Sequence, residues 1–224
     1  MRHPVFELPE VLILSYPRSG THFLQSSLAS HPKIHGRGEC IMRFKRLISQ
    51  QPKQEQSQNL PDPFIFTNKP NHLNVAILMY KLVDFATDEF GCSLTDFKII
   101  HLIRNPKQVA YSNAQAGANR KSLGAKFKAH YRLHECLPPN SPISLQMVDK
   151  IEKEVILLQK KYSKKLGSHP NVLTIDYETL TSGRQVNKIS KEYASLLLNF
   201  LGLNYAPLRN SLRKTGIEPN VGTK

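Results

Sequence analysis

The chain alternates unbroken apolar runs with stretches whose apolar positions recur every three or four residues. Val11 to Tyr16 is one such run, β-prone throughout and closed by Pro17. A run without polar alternation predicts a strand buried on both faces, as in a parallel sheet. Gly20 ends the turn that follows, and Thr21 to Ser30 predicts a helix with Phe23, Leu24, Ser27 and Leu28 along one side. Gln50 to Pro63 is polar, rich in Gln and Pro, and predicts a surface loop. Phe64 to Thr67 predicts a short strand, and Leu73 to Phe90 has helical spacing through Ile77, Tyr80, Leu82 and Phe85. Phe97 to Ile103 predicts a second buried strand, with a helix from Lys107. Ile143, Met147, Ile151, Val155, Leu158, Tyr162 and Leu166 predict a long helix stopped at Gly167. Val172 to Ile175 predicts a third central strand. Val186, Ile189, Tyr193, Leu196, Leu197 and Phe200 mark the last helix, ended by Gly202.

Strands alternating with helices predict one α/β domain: a central parallel sheet with flanking helices. The domain is expected to fill residues 1–224, with its core over about 10–205 and a tail over 206–224. Ligands of such sheets bind at the carboxyl ends of the strands. The segments after Tyr16, Thr67, Ile103 and Ile175 are therefore where chemistry is expected.

Composition narrows the partners. The 224 residues carry 31 Lys+Arg against 17 Asp+Glu, a net charge of +14. That excess predicts an anionic partner: a nucleic acid, an anionic surface, or a phosphorylated or sulfated small molecule. There is no Trp, no aromatic–basic repeat and no recognisable nucleic-acid module, so nucleic acid is not the expected partner. Cys40, Cys92 and Cys136 lack zinc-finger spacing, and an odd count makes a poor disulfide framework. Reduced thiols and a cytoplasmic location are expected. No apolar run approaches the roughly 20 residues of a membrane span. The first apolar stretch is preceded by Glu7 and Glu10 and followed by Arg18, which does not read as a signal peptide. His130 and His134 stand one helical turn apart without a carboxylate third ligand, so no metal is expected.

The segment Tyr16-Pro17-Arg18-Ser19-Gly20-Thr21-His22-Phe23-Leu24 carries the clearest chemistry. A small-residue turn opening a helix offers backbone N–H groups and the positive end of the helix dipole to an anion. Ser19 and Thr21 add hydroxyl donors and Arg18 adds a fixed cation. The Gly-Lys-Ser/Thr ending of a Walker A motif is absent.

That loop, followed by His31-Pro32 and Gly38-Glu39, resembles the opening of sulfotransferases that use 3'-phosphoadenylyl sulfate (PAPS). It is most similar to the tyrosylprotein, carbohydrate and bacterial Stf-type branches. Ile100 to Pro106 and Val109 to Ser112 resemble the same family's 3'-phosphate motif. Val172 to Leu180 resembles its strand and Tyr-Glu segment, in which the Tyr lies near the adenine. The resemblance implies the P-loop NTPase-like sulfotransferase fold, with PAPS as donor and adenosine 3',5'-bisphosphate (PAP) as product. It implies that Arg18, Ser19, Gly20, Thr21 and His22 cradle the 5'-phosphosulfate. Arg104 and Ser112 would bracket the 3'-phosphate, Tyr177 would lie at the adenine, and Arg213 and Lys214 would cap the phosphate from the tail.

For the chemistry, the resemblance implies Glu39 as the base, at the offset from the loop Arg seen in the tyrosylprotein and Stf-type branches, with His72 as its rival by similarity to the cytosolic branch. Lys69, in Asn68-Lys69-Pro70, resembles the lysine that works with Arg18 on the leaving oxygen. Arg120, Lys121, Lys126, Lys128 and Arg132 are expected to guide the donor or an acidic acceptor, or to form a solvated face. The reaction needs no metal. The acceptor, whether carbohydrate, small molecule or peptide, is not readable in the chain, and neither is the oligomeric state. A P-loop-type nucleotide or small-molecule kinase is the alternative enzyme. An inactive relative with the same fold also remains open.

Overall fold

The run that opens the chain becomes the central strand. In the computed structural model, which describes residues 6–49, 66–124, 140–181 and 189–210, β1 (Val11–Ser15) is buried at every position. Its side chains alternate between two cores. Val11 and Ile13 join α1 (Thr21–Leu28) and α7 (Lys191–Leu201) on one face. Leu12 and Leu14 join α3 (Val83–Phe90) and α5 (Leu145–Leu166) on the other. Burying each such side chain contributes roughly 1.5–3 kcal/mol. This two-sided burial is why the run shows no polar alternation.

Among the described residues, the strands form one five-stranded sheet in the order β2-β3-β1-β4-β5, every pair parallel. β4 (Lys98–Ile103), β5 (Val172–Asp176), α1, α4 (Pro106–Leu123), α5 and α7 lie where apolar spacing predicts them. Asn105 caps α4 by accepting from the Gln108 N–H, and Pro106 opens its first turn. The expected loop at Gln50–Pro63 lies outside the described residues, as do Phe64 and Val186.

Two expectations fail in the first half of the chain. Leu73–Met79 is not helical but forms β3, buried from Asn74 onward. A strand apolar at almost every position also satisfies helical spacing, so periodicity alone misassigns it. The true helix α3 begins at Val83, after a single 3-10 turn over Tyr80–Leu82. The strand expected at Phe64–Thr67 is not formed at its described positions, because Phe66 and Thr67 lie in a turn; Phe64 and Ile65 lie outside the described residues. β2 (Ile34–Gly38) and α2 (Cys40–Ser49) were not anticipated; β2, with the sequence IHGRG, has almost no apolar signal.

The chain runs left from β1 through α1 to β2, and right from β4 through α4 and α5 to β5. Ligands of open parallel sheets lie where this direction reverses. In this sheet that point is the carboxyl edge between β1 and β4.

Candidate active site

The loop after β1 is shaped by two left-handed residues, Arg18 (φ 70°) and Gly20 (φ 93°). Left-handed backbone is strained for a non-glycine residue and clusters at functional sites. Gly20 is required by space as well: a Cβ there would meet Tyr177 Cε2 at 2.2 Å. Gly20 is also the N-cap of α1, and it has no side chain to satisfy the first turn. Ser19 is fully buried, and its Oγ has no hydrogen-bond partner among the described residues. A buried unpartnered hydroxyl beside a helix N-terminus is a donor waiting for an acceptor.

Three arginines gather at this edge. Arg18 Nε donates to Ser112 Oγ at 3.4 Å. Burial pushes the Arg18 guanidinium below its ordinary value; Arg104 adds to that, Glu39 opposes it and Arg120 adds again. Arg104 is 8% exposed and its Nη1 donates to the Arg18 carbonyl at 2.9 Å. Its Nη2 donates to Gln108 Oε1 at 3.2 Å, and its guanidinium lies 4.6 Å from the Tyr177 ring centroid. Arg104 Nε is 3.4 Å from Glu178 Oε1 without the alignment of a hydrogen bond, so both buried atoms keep unused capacity. Like charges held this close are stabilised by an anion between them.

Arg104 and Ser112, the residues expected to bracket one phosphate, are joined through Arg18, which accepts from Arg104 at its carbonyl. Arg18 stands between them and takes Ser112 itself. Tyr177 is 5% exposed, packed against Gly20 and Phe23 and covered by Arg104, so it braces the loop rather than presenting an open ring. Burial raises its hydroxyl above the ordinary range, partly offset by Arg104.

Glu39 does reach the site. It follows Gly38, whose left-handed backbone (φ 62°) turns the chain after β2. Buried Gln25 fixes that turn: its Oε1 accepts from the Gly38 N–H at 3.1 Å and its Nε2 donates to the Val75 carbonyl at 2.8 Å. Glu39 Oε1 then lies 3.0 Å from His22 Nε2 on α1 and within the field of Arg18. Arg37 turns elsewhere, donating to Asn68 Oδ1 at 2.7 Å and to the Glu7 carbonyl.

Lys69 and His72 do not come near this cluster. They precede β3, at the amino edge of the sheet, where the Asn74 N–H donates to Glu10 Oε2. Their charges act on His35 at the start of β2, and the His72 ring bonds the Pro70 carbonyl at 2.8 Å. The whole seven-residue β3, about 20 Å at the usual rise, separates them from the carboxyl edge. Lys81, directly after β3, does stand at the carboxyl edge. Its Nζ pairs with Glu154 of α5 and lies 5.8 Å from the Tyr16 ring centroid. The signal for Lys81 was an apolar run ending in a cation, the same pattern as β1 and Arg18. Arg213, Lys214, Lys126, Lys128, Arg132, His130, His134 and Cys136 lie outside the described residues.

The sequence matches the sulfotransferase domain over residues 8–205. The chain belongs to the sulfotransferase family. Sulfuryl transfer to an acceptor is its class of reaction. A sulfotransferase from Alicyclobacillus acidocaldarius shares the fold at a TM-score of 0.52 and 14% identity, over 95% of this chain and 87% of that one. A sulfotransferase domain from the curacin biosynthetic pathway does so at 0.56 and 18% identity, over 90% and 76%. A mouse sulfotransferase solved with PAP aligns at 0.48 and 19%, over 90% of this chain and 61% of that one. No curated protein matches the sequence. Among the described residues of this sulfotransferase, no helix is long and apolar enough to cross a membrane.

Proposed function

We propose that this sulfotransferase moves the sulfuryl group of PAPS to a hydroxyl or amine acceptor, with Glu39 as base. The observation that supports it is the buried, unpartnered Ser19 Oγ, set in a left-handed loop beside Arg18 and Arg104. Loop residues Arg18 to Thr21 and the N–H groups of the first turn of α1 suit the 5'-phosphosulfate. Arg104 and Ser112 suit the 3'-phosphate once Arg18 gives up Ser112 and turns to the other end of the donor. Charge-assisted bonds of this kind are worth about 1.5–3 kcal/mol each.

The transfer asks for in-line positioning, a base, and charge on the leaving oxygen. Glu39 takes the acceptor proton as the acceptor oxygen or nitrogen forms its bond to sulfur. The bond from sulfur to the bridging phosphate oxygen breaks, and PAP leaves with its charge met by Arg18 and Lys81. His22 orients the Glu39 carboxylate through the 3.0 Å contact. Incubation with PAPS labelled in its sulfonate and a panel of hydroxyl and amine acceptors tests this. Label on an acceptor with equimolar PAP supports it. Label on no acceptor, together with no affinity for PAP, overturns it.

A further inference from the structure

Where β3 meets the ligand edge, three side chains from three elements form one unit. The Tyr16 hydroxyl, at the start of the loop, donates to Glu154 Oε2 at 3.1 Å. Glu154 Oε1 pairs with Lys81 Nζ, and that ammonium lies over the Tyr16 ring. Tyr16 is 2% exposed, whereas the Lys81 side chain is 56% exposed. The fixed partner is thus the tyrosine, and the carboxylate hangs from it to hold an otherwise free lysine. Lysine on a four-carbon stem gives up much rotamer freedom when held in one place. A carboxylate anchored on a buried hydroxyl lowers that cost before the donor arrives.

From this arrangement we infer that Glu154 is a positioning residue for Lys81. It reaches from α5 to keep the ammonium at the carboxyl edge, where the sulfonate and its bridging oxygen lie. The inference rests on the proposed PAPS reaction. It predicts that Glu154 serves recognition of the sulfonate and not of the nucleotide. PAP carries roughly −1.5 to −2 on its 5'-phosphate, close to the charge of the phosphosulfate. A general gain or loss of positive potential therefore cancels in the ratio of PAPS to PAP affinity, and the placement of Lys81 does not.

Calorimetric titration of PAPS and of PAP into the full chain tests this. Lys81→Met lowers the PAPS-to-PAP affinity ratio about tenfold. Glu154→Gln keeps an acceptor for Tyr16, lowers the ratio by several-fold and leaves PAP affinity equal or higher. On the Lys81→Met background, Glu154→Gln changes nothing further. Tyr16→Phe, which frees the anchor without touching either charge, shifts the ratio the same way by about twofold, and it decides the matter if Glu154→Gln fails to fold. An unchanged ratio in Glu154→Gln and Tyr16→Phe overturns the inference, as does a Glu154→Gln penalty that persists without Lys81. An unchanged ratio in Lys81→Met removes Lys81 from the sulfonate and the inference with it. Absence of binding by either nucleotide to the unsubstituted chain instead refutes the donor.

Discussion

The Tyr177 ring occupies the space that any side chain on Gly20 would need, with its Cε2 2.2 Å from an ideal Cβ. The loop and the segment after β5 are therefore built against each other, and Arg104 closes the stack over the ring. Gly20→Ala meets both this clash and a left-handed backbone. It is expected to lose roughly 2–4 kcal/mol of stability in denaturant unfolding. On a Tyr177→Ala background the penalty shrinks to the backbone part alone. An equal penalty on both backgrounds contradicts the contact.

Arg104 is expected to act through its fork and not only its charge. Lysine in its place keeps the cation but cannot reach the Arg18 carbonyl, Gln108 and the Tyr177 face together. Arg104→Lys should weaken PAP about tenfold or more by calorimetry. Near-normal PAP affinity contradicts this role.

Glu39 and the two residues at the opposite edge separate cleanly. Glu39→Ala should cut turnover by roughly 10²–10⁴ while PAP affinity is retained. Lys69→Ala and His72→Ala should leave turnover within about twofold, because the length of β3 lies between them and the site. A dead His72→Ala with an active Glu39→Ala reverses the assignment.

Much of this was legible in the chain, and the failures share one cause. β1, β4 and the loop between Tyr16 and Thr21 announce themselves because a doubly buried strand and a phosphate-type turn have local signatures. Glu39 was placed from a family resemblance, and its geometry depends on Gln25 bridging Gly38 and Val75. β3 was hidden because Leu73, Ile77 and Tyr80 fit a helix as well as a strand. Lys69 was placed from a family resemblance and a strand expected at Phe64–Thr67; because β3 follows it, Lys69 stands at the amino edge of the sheet and Lys81 at the carboxyl edge. Nothing local in the sequence says that Arg18 lies between Arg104 and Ser112, since that depends on β1 and β4 being neighbours.

Behind the site, His101 of β4 is fully buried and shares a 2.7 Å hydrogen bond between its Nε2 and the Tyr80 hydroxyl. Burial pushes its pKa down to about 4. A histidine in the unfolded chain titrates near 6.5, so between these values the unfolded state binds a proton that the folded state refuses. Its contribution is complete above pH 6.5 and is lost as pH falls toward 4, on the order of 3 kcal/mol in all. Melting curves across this window should show a shallower acid loss for His101→Gln than for the unsubstituted chain. Parallel losses contradict the assignment.

The donor itself is tested most directly by thermal melting with PAP and, separately, with ADP. On the proposed reading the site takes a nucleotide with a 3'-phosphate, so PAP at about 100 times its Kd should add about 2.7 kcal/mol of stability, with ADP giving far less. A melt raised by ADP and unmoved by PAP would contradict the account.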